Sequence, residues 1–231
     1  NFEPKSVISN FKSFSNSLLI FLISVLFFVV GARGGLQLKP INTINAGELS
    51  NPIFSNLILN TPFTFLHSFK SEKLVAYNYF SEQELNNTFS LSKNYSAEKQ
   101  KDFNVVIIIM ESLSKEFVGF HNDHNLTPFL DSLMNHSLVF SNAYSNGLRS
   151  IEALPAITAS IPTLSNTPFI SSVYAQNKFN SLPSLLSKKG YATSFFHGGT
   201  RGTMGFYGFA KKAGFQKYFG LEEYKNKADY D

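Results

Sequence analysis

The chain has 231 residues, 43% of them hydrophobic and 25 of them Phe, enough for one good-sized domain and a further segment. Its +4 formal charge, from 20 Lys and Arg against 16 Asp and Glu, is dispersed, with no basic run interleaved with aromatics, which excludes the usual nucleic-acid signature. With zero Cys there are no disulfides, no Cys-zinc sites and no thiol catalysis.

The first residue is Asn rather than Met, which reads as a processed or partial chain. Residues 18–32 (LLIFLISVLFFVVGA) carry no charge, with Lys12 before them and Arg33 after. Extended back to Phe14, the stretch approaches the roughly 20 residues that span a bilayer and predicts a transmembrane helix. A signal-peptide core or a buried core helix are the alternatives. Its flanking charges, Lys5 and Lys12 against Arg33 and Lys39, do not orient it. Gly34, Gly35 and Pro40 then break the helix. Residues 34–101 read as a juxtamembrane linker, with short helices over 54–66 and 74–80 and an exposed polar stretch over 86–101.

The α/β part begins near Asp102. Residues 105–110 (VVIIIM) form an apolar run rich in β-branched side chains, which reads as a strand buried on both faces of a parallel sheet. Thr127 is placed to cap a helix reaching Asn135, with Pro128 at its first position. Residues 139–143 read as a short strand and 150–159 as a helix interrupted at Pro155. Residues 181–189 read as an amphipathic helix ended by Gly190, and 191–196 as a second strand. This alternation favours a doubly wound sheet.

In such sheets ligands collect beyond the carboxyl ends of the strands, and Glu111 stands at that end of the first strand. Its carboxylate is a hard oxygen ligand suited to Mg²⁺ or Mn²⁺ and acceptable to Zn²⁺; the bland alternative is a surface or capping residue. Ser150 follows Gly147 and Arg149 at the start of a helix, where a nucleophile can be presented and activated. On the residues alone, an ordinary helix N-cap is the favoured reading of Ser150. His197 follows the second strand and precedes a glycine-rich loop, as a ligand contact or a hydrogen-bonded scaffold residue. His121 and His124 have i, i+3 spacing, read either as a zinc pair or as a solvated loop. No G-x-S-x-G elbow surrounds any serine, and the segment from Gly202 to Gly205 lacks the dinucleotide fingerprint.

Several stretches together resemble the lipoteichoic acid synthase-like branch of the alkaline phosphatase/sulfatase superfamily. They are RGGLQLKP from Arg33, LNTPF from Leu59, NVVIIIMES from Asn104, TPFL from Thr127, SNGLRSIE from Ser145, and FHGG from Phe196 with MGF from Met204. The resemblance implies an alkaline phosphatase/sulfatase-like three-layer αβα domain over residues 102–231, its N-terminal part only. A membrane-spanning helix over 1–33 and a helical linker over 34–101 would precede it. It implies a protein of the cell membrane with an extracytoplasmic catalytic domain. Glu111 matches the family's metal ligand after the first strand, and Ser150 its nucleophile, itself a metal ligand. The implied metal is Mn²⁺ or Mg²⁺, with Zn²⁺ or Ca²⁺ as alternatives. Arg149 and His197 are the implied substrate contacts.

The implied activity is transfer of a phosphoglycerol-type group from a membrane lipid donor to an envelope glycan or glycerophosphate acceptor, through a Ser-linked intermediate. A sulfatase or phosphodiesterase-type hydrolase, or an inactive membrane-tethered module, are the alternatives. Ser150 stands where the synthases use Thr, and Gly199 where they place an acidic residue. Residues 151–154 lack the pattern for formylglycine formation. The family's remaining Asp and His ligands lie far beyond its nucleophile, and none matches here, so the chain is expected to hold half a metal site and to be inactive alone.

Overall fold

The computed structural model describes residues 11–36, 43–46, 55–69, 74–89, 102–122 and 126–224. They fall into two compact units, one of residues 1–71 with 170–231 and one of residues 72–169.

In the first unit, helix α1 (Phe11–Arg33) runs 23 residues, about 35 Å at 1.5 Å per residue, and is long and apolar enough to cross a membrane. Its large apolar side chains from Phe14 to Val29 are all exposed, and the hydroxyl of Ser24 is satisfied by the carbonyl of Ile20 at 2.8 Å. Arg33 in the last turn complements the helix dipole. Gly34 and Gly35, with φ of 85° and 128°, end the helix as expected, donating to the carbonyls of Gly31 and Val30. The stretch expected to be helical over 54–66 forms two short helices, α2 (Ser55–Ile58) and α3 (Thr61–Ser68), with Phe54 outside the described residues. Asn60 starts the second of them by accepting the Phe63 N–H at 2.8 Å.

The core of this unit draws on residues from both its segments. Ile44, in a single 3₁₀ turn (Thr43–Asn45), is 1% exposed and fully buried with Ile170 and Phe209. The linker therefore contributes to a core as well as connecting. Gly205 is required there: its φ is 73°, and a Cβ would come within 2.9 Å of Ile44 Cγ2 and 3.1 Å of Ile170 Cγ2. Lys212 Nζ donates to the carbonyl of Gln176 at 2.6 Å, and Gln176 Nε2 donates to the carbonyl of Thr43 at 2.6 Å, so a polar clasp closes over the turn.

A βαβ unit completes it. Strand β1 (Ser194–Phe196) pairs in parallel with β2 (Lys217–Phe219), Phe195 opposite Tyr218, and a helix (Phe206–Lys212) fills the crossover. Phe195 stacks on Tyr218 at 5.4 Å, and Phe209 on Phe179 at 5.7 Å. Helix Leu182–Lys188 precedes β1, capped by Ser181 and ended at Gly190, as the sequence reading expects. The expected strand over 191–196 is shorter, and β2 was not foreseen.

In the second unit three expectations fail. Residues 74–80 form no helix, and Tyr77 and Tyr79 stack at 5.4 Å, a pairing of i and i+2 side chains that suits an extended chain. A helix, Glu82–Thr88, follows instead, set by a reciprocal cap between Ser81 and Glu84. Residues 105–110 form no regular element and are exposed, from 46% at Ile109 to 82% at Val106, joining no ladder among the described residues. β-branched side chains favour the extended backbone, but a strand also needs a neighbour to pair with. Residues 139–143 are likewise no strand, for Ser141 and Asn142 form a turn.

Two helices of this unit stand where expected. Pro128–Asn135 begins after Thr127, whose hydroxyl accepts the Gly119 N–H at 3.0 Å and donates to Asp131 at 2.9 Å instead of capping. Ser150–Ala159 runs unbroken through the buried Pro155, correcting the expected interruption. It ends at Ser160 in the left-handed region, φ 54°.

Candidate active site

Glu111 ends the extended run, and Ser112, with φ 56°, turns the chain sharply there. The Ser150 helix begins 39 residues later, and Ser150 Oγ donates a hydrogen bond to Glu111 Oε2. The Ser112 hydroxyl donates to the other oxygen, Oε1, at 3.3 Å. Glu111 is exposed and Ser150 half-buried, so both oxygens face accessible space rather than an apolar interior.

Ser150 is not the helix cap. Arg149 holds the cap position with extended φ and ψ of −129° and 152°, and Ser150 is the first helical residue. Its hydroxyl is thereby released from capping. It sits in the partial positive potential of a ten-residue helix's N-terminus, a setting that favours a developing oxyanion.

Arg149 is held by Glu152. Its Nε donates to Glu152 Oε1 at 2.8 Å and its Nη2 to the same oxygen, while Nη2 also reaches the Asn166 carbonyl at 3.3 Å. Glu152 Oε2 accepts the backbone N–H groups of Leu148 and Arg149 at 2.8 and 3.1 Å. Hydrogen bonding from Arg149 outweighs burial and keeps this carboxyl below its usual range. The guanidinium expected to contact substrate is thus already paired, though its side chain remains 56% exposed.

His197 belongs to the other unit. Its Nδ1 lies 3.4 Å from the Tyr218 hydroxyl and its ring stands edge-on to Phe206 at 5.0 Å. Burial lowers its pKa from the ordinary imidazole value. The loop after it is tightly built: a Cβ on Gly199 would fall 2.6 Å from His197 Cε1. Arg201 donates its backbone N–H to Glu222 at 3.0 Å and pairs with Glu223.

Glu111 and Ser150 supply the hard oxygen donors that Mn²⁺ or Mg²⁺ prefers, so the donor chemistry fits such an ion. Among the described residues no group of three or more His, Asp or Glu surrounds them, so further ligands would have to come from elsewhere. Of the His121 and His124 pair, His121 lies against Phe120, and His124 is outside the described residues. Sequence reading overlooked Ser112, Glu152 and Tyr218. The i, i+3 spacing of Arg149 and Glu152 was the visible signal for one of them.

The sequence pattern of the sulfatase family matches residues 103–231. Lipoteichoic acid synthase 2 of Bacillus subtilis (strain 168) is 26% identical over 137 residues, covering 57% of this chain and 21% of that protein. The chain thus spans about a fifth of the length of that relative. No solved structure matches the chain.

Proposed function

The chain belongs to the sulfatase family, in the lipoteichoic acid synthase-like part of the alkaline phosphatase/sulfatase superfamily, and on that footing we propose a membrane-anchored transferase of a phosphoglycerol-type group. Helix α1 anchors it, the remainder faces the extracytoplasmic side, and the donor is a membrane phospholipid. The acceptor is a hydroxyl of an envelope glycan or glycerophosphate chain.

The observation that carries this reading is the hydrogen bond from Ser150 to Glu111 at a helix N-terminus. Glu111 orients the Ser150 hydroxyl, so that an Oγ lone pair is free for the donor's phosphorus. A bond forms between Oγ and phosphorus while the bond from phosphorus to the diacylglycerol oxygen breaks. The Ser150 proton ends on the departing alkoxide. The acceptor hydroxyl then attacks the same phosphorus, Ser150 Oγ leaves, and the acceptor's proton returns to it. Glu111 and Ser150 would hold the divalent cation, which when bound offsets charge on the phosphoryl oxygens and favours the serine alkoxide. The positive end of the Ser150 helix acts in the same direction.

In full-length protein, Ser150→Ala should abolish metal-dependent turnover of a phosphatidylglycerol-like donor while leaving the fold intact. Turnover that survives the substitution refutes the assignment. The match to a family named for sulfatases favours one second reading, a hydrolase of soluble esters. Product analysis separates them: modified acceptor supports transfer, whereas water-derived products without acceptor modification support hydrolysis.

A further inference from the structure

Glu152 plays no part in the chemistry above, yet it is 5% exposed and is the best-bonded carboxylate among the described residues of its unit. It accepts from the backbone of Leu148 and Arg149 and from the Arg149 guanidinium. A reciprocal helix cap needs only the N–H of the cap residue itself. Here the carboxylate also takes the N–H of the residue before the cap, and its other oxygen takes two donors from one guanidinium.

The approach to Ser150 is shaped around this carboxylate. A Cβ on Gly147 would fall 2.5 Å from Glu152 Cβ and 3.2 Å from Oε2, so only glycine lets the chain pass so close. On the other side, the Thr163 N–H donates to the Asn146 carbonyl at 3.4 Å, and Asn166 receives the far end of Arg149. The segment from Asn146 to Arg149 is thus fixed at every residue but by polar bonds, since Leu148 itself is 98% exposed and packs nothing.

We propose that Glu152 is a positioning residue: with Gly147 it fixes the Asn146–Arg149 approach and so sets Ser150 Oγ against Glu111. The inference rests on the role assigned to Ser150. Glu152 touches no reacting atom; it acts through the backbone and through Arg149, whose charge it aligns beside the nucleophile.

The test uses full-length protein in detergent with Mn²⁺ and bis(p-nitrophenyl) phosphate, comparing Glu152→Gln, Gly147→Ala and Ser150→Ala. Glutamine keeps the shape and a carbonyl for the backbone but places an NH₂ against the guanidinium. Both positioning variants should lose kcat by on the order of 100-fold, as a displacement of about 1 Å can cause, with KM little changed and the fold retained. Amide exchange at Leu148 and Arg149 should speed up in Glu152→Gln while that of helix Pro128–Asn135 stays constant. If Ser150→Ala is inactive but Glu152→Gln keeps its kcat, or loses activity only in proportion to unfolded protein, the positioning role is overturned alone. If Ser150→Ala itself turns over substrate, the assignment of the nucleophile falls with it.

Discussion

The unit of residues 170–224 with its inserted turn at Ile44 and the unit of residues 72–169 are held by opposite means. The first closes around apolar side chains, with Ile44, Ile170, Ala175, Phe206, Phe209, Ala210 and Ala213 all buried. The second buries fewer of them, Val118, Leu154, Pro155 and Pro168 among the described residues, and adds polar ties at Thr127, Asp131 and Glu152. The hydrogen-bonded pair of Ser150 and Glu111, proposed above to carry the chemistry, sits in the second. Apolar burial is non-directional, whereas hydrogen bonds fix orientation, and a nucleophile needs orientation more than it needs bulk stability.

The sharpest way to break that contrast is a pair of truncations. Phe209→Ala should cost about 3–5 kcal/mol, from lost burial plus a cavity, read as a drop in unfolding midpoint. Val106→Ser, at a position 82% exposed, should change stability by no more than about 0.5 kcal/mol. A large loss at Val106 would mean that residues 105–110 are packed in the intact protein. Gly205→Ala is next in size. Its positive φ and its contacts with Ile44 and Ile170 predict a cost of about 1–3 kcal/mol, and an unchanged midpoint would show that Ile44 is not seated there.

The smallest effect is pH-dependent and specific to the first unit. Burial depresses the folded pKa of His197, so the unfolded chain binds its proton more readily. The stability of this region is therefore full above the ordinary imidazole range and erodes as pH falls through it. Thermal midpoints between about pH 8 and pH 5 should decline less for His197→Gln than for the parent. Equal slopes would remove His197 from the account.

Local signals in the sequence were readable where local chemistry decides the outcome. Gly34 and Gly35, Ser181 and Gly190, and Pro128 mark helix ends that stand where their residue types put them. The convergence of Glu111 and Ser150 was visible only through the resemblance, since nothing in spacing brings residues 39 apart together. Residues 105–110 differ from the expected strand because an apolar β-branched run sets a preference, while pairing depends on what lies beside it. Residues 74–80 differ from expectation in the same way: the apolar residues fit helical spacing, yet no helix forms, and Tyr77 stacks on Tyr79. The i, i+3 spacing of Arg149 and Glu152 signals their pairing, but the burial of Glu152 and its bonds to the Leu148 and Arg149 N–H groups are not legible from spacing.

The central claim is that Ser150 forms a covalent link to the transferred group with Glu111 beside it. Mass spectrometry of full-length protein incubated with Mn²⁺ and a phosphatidylglycerol-like donor tests it most directly. A phosphoglycerol adduct on the peptide containing Ser150, lost in both Ser150→Ala and Glu111→Ala, is the predicted result. An adduct on another residue, or donor turnover with Ser150 never modified, would contradict it.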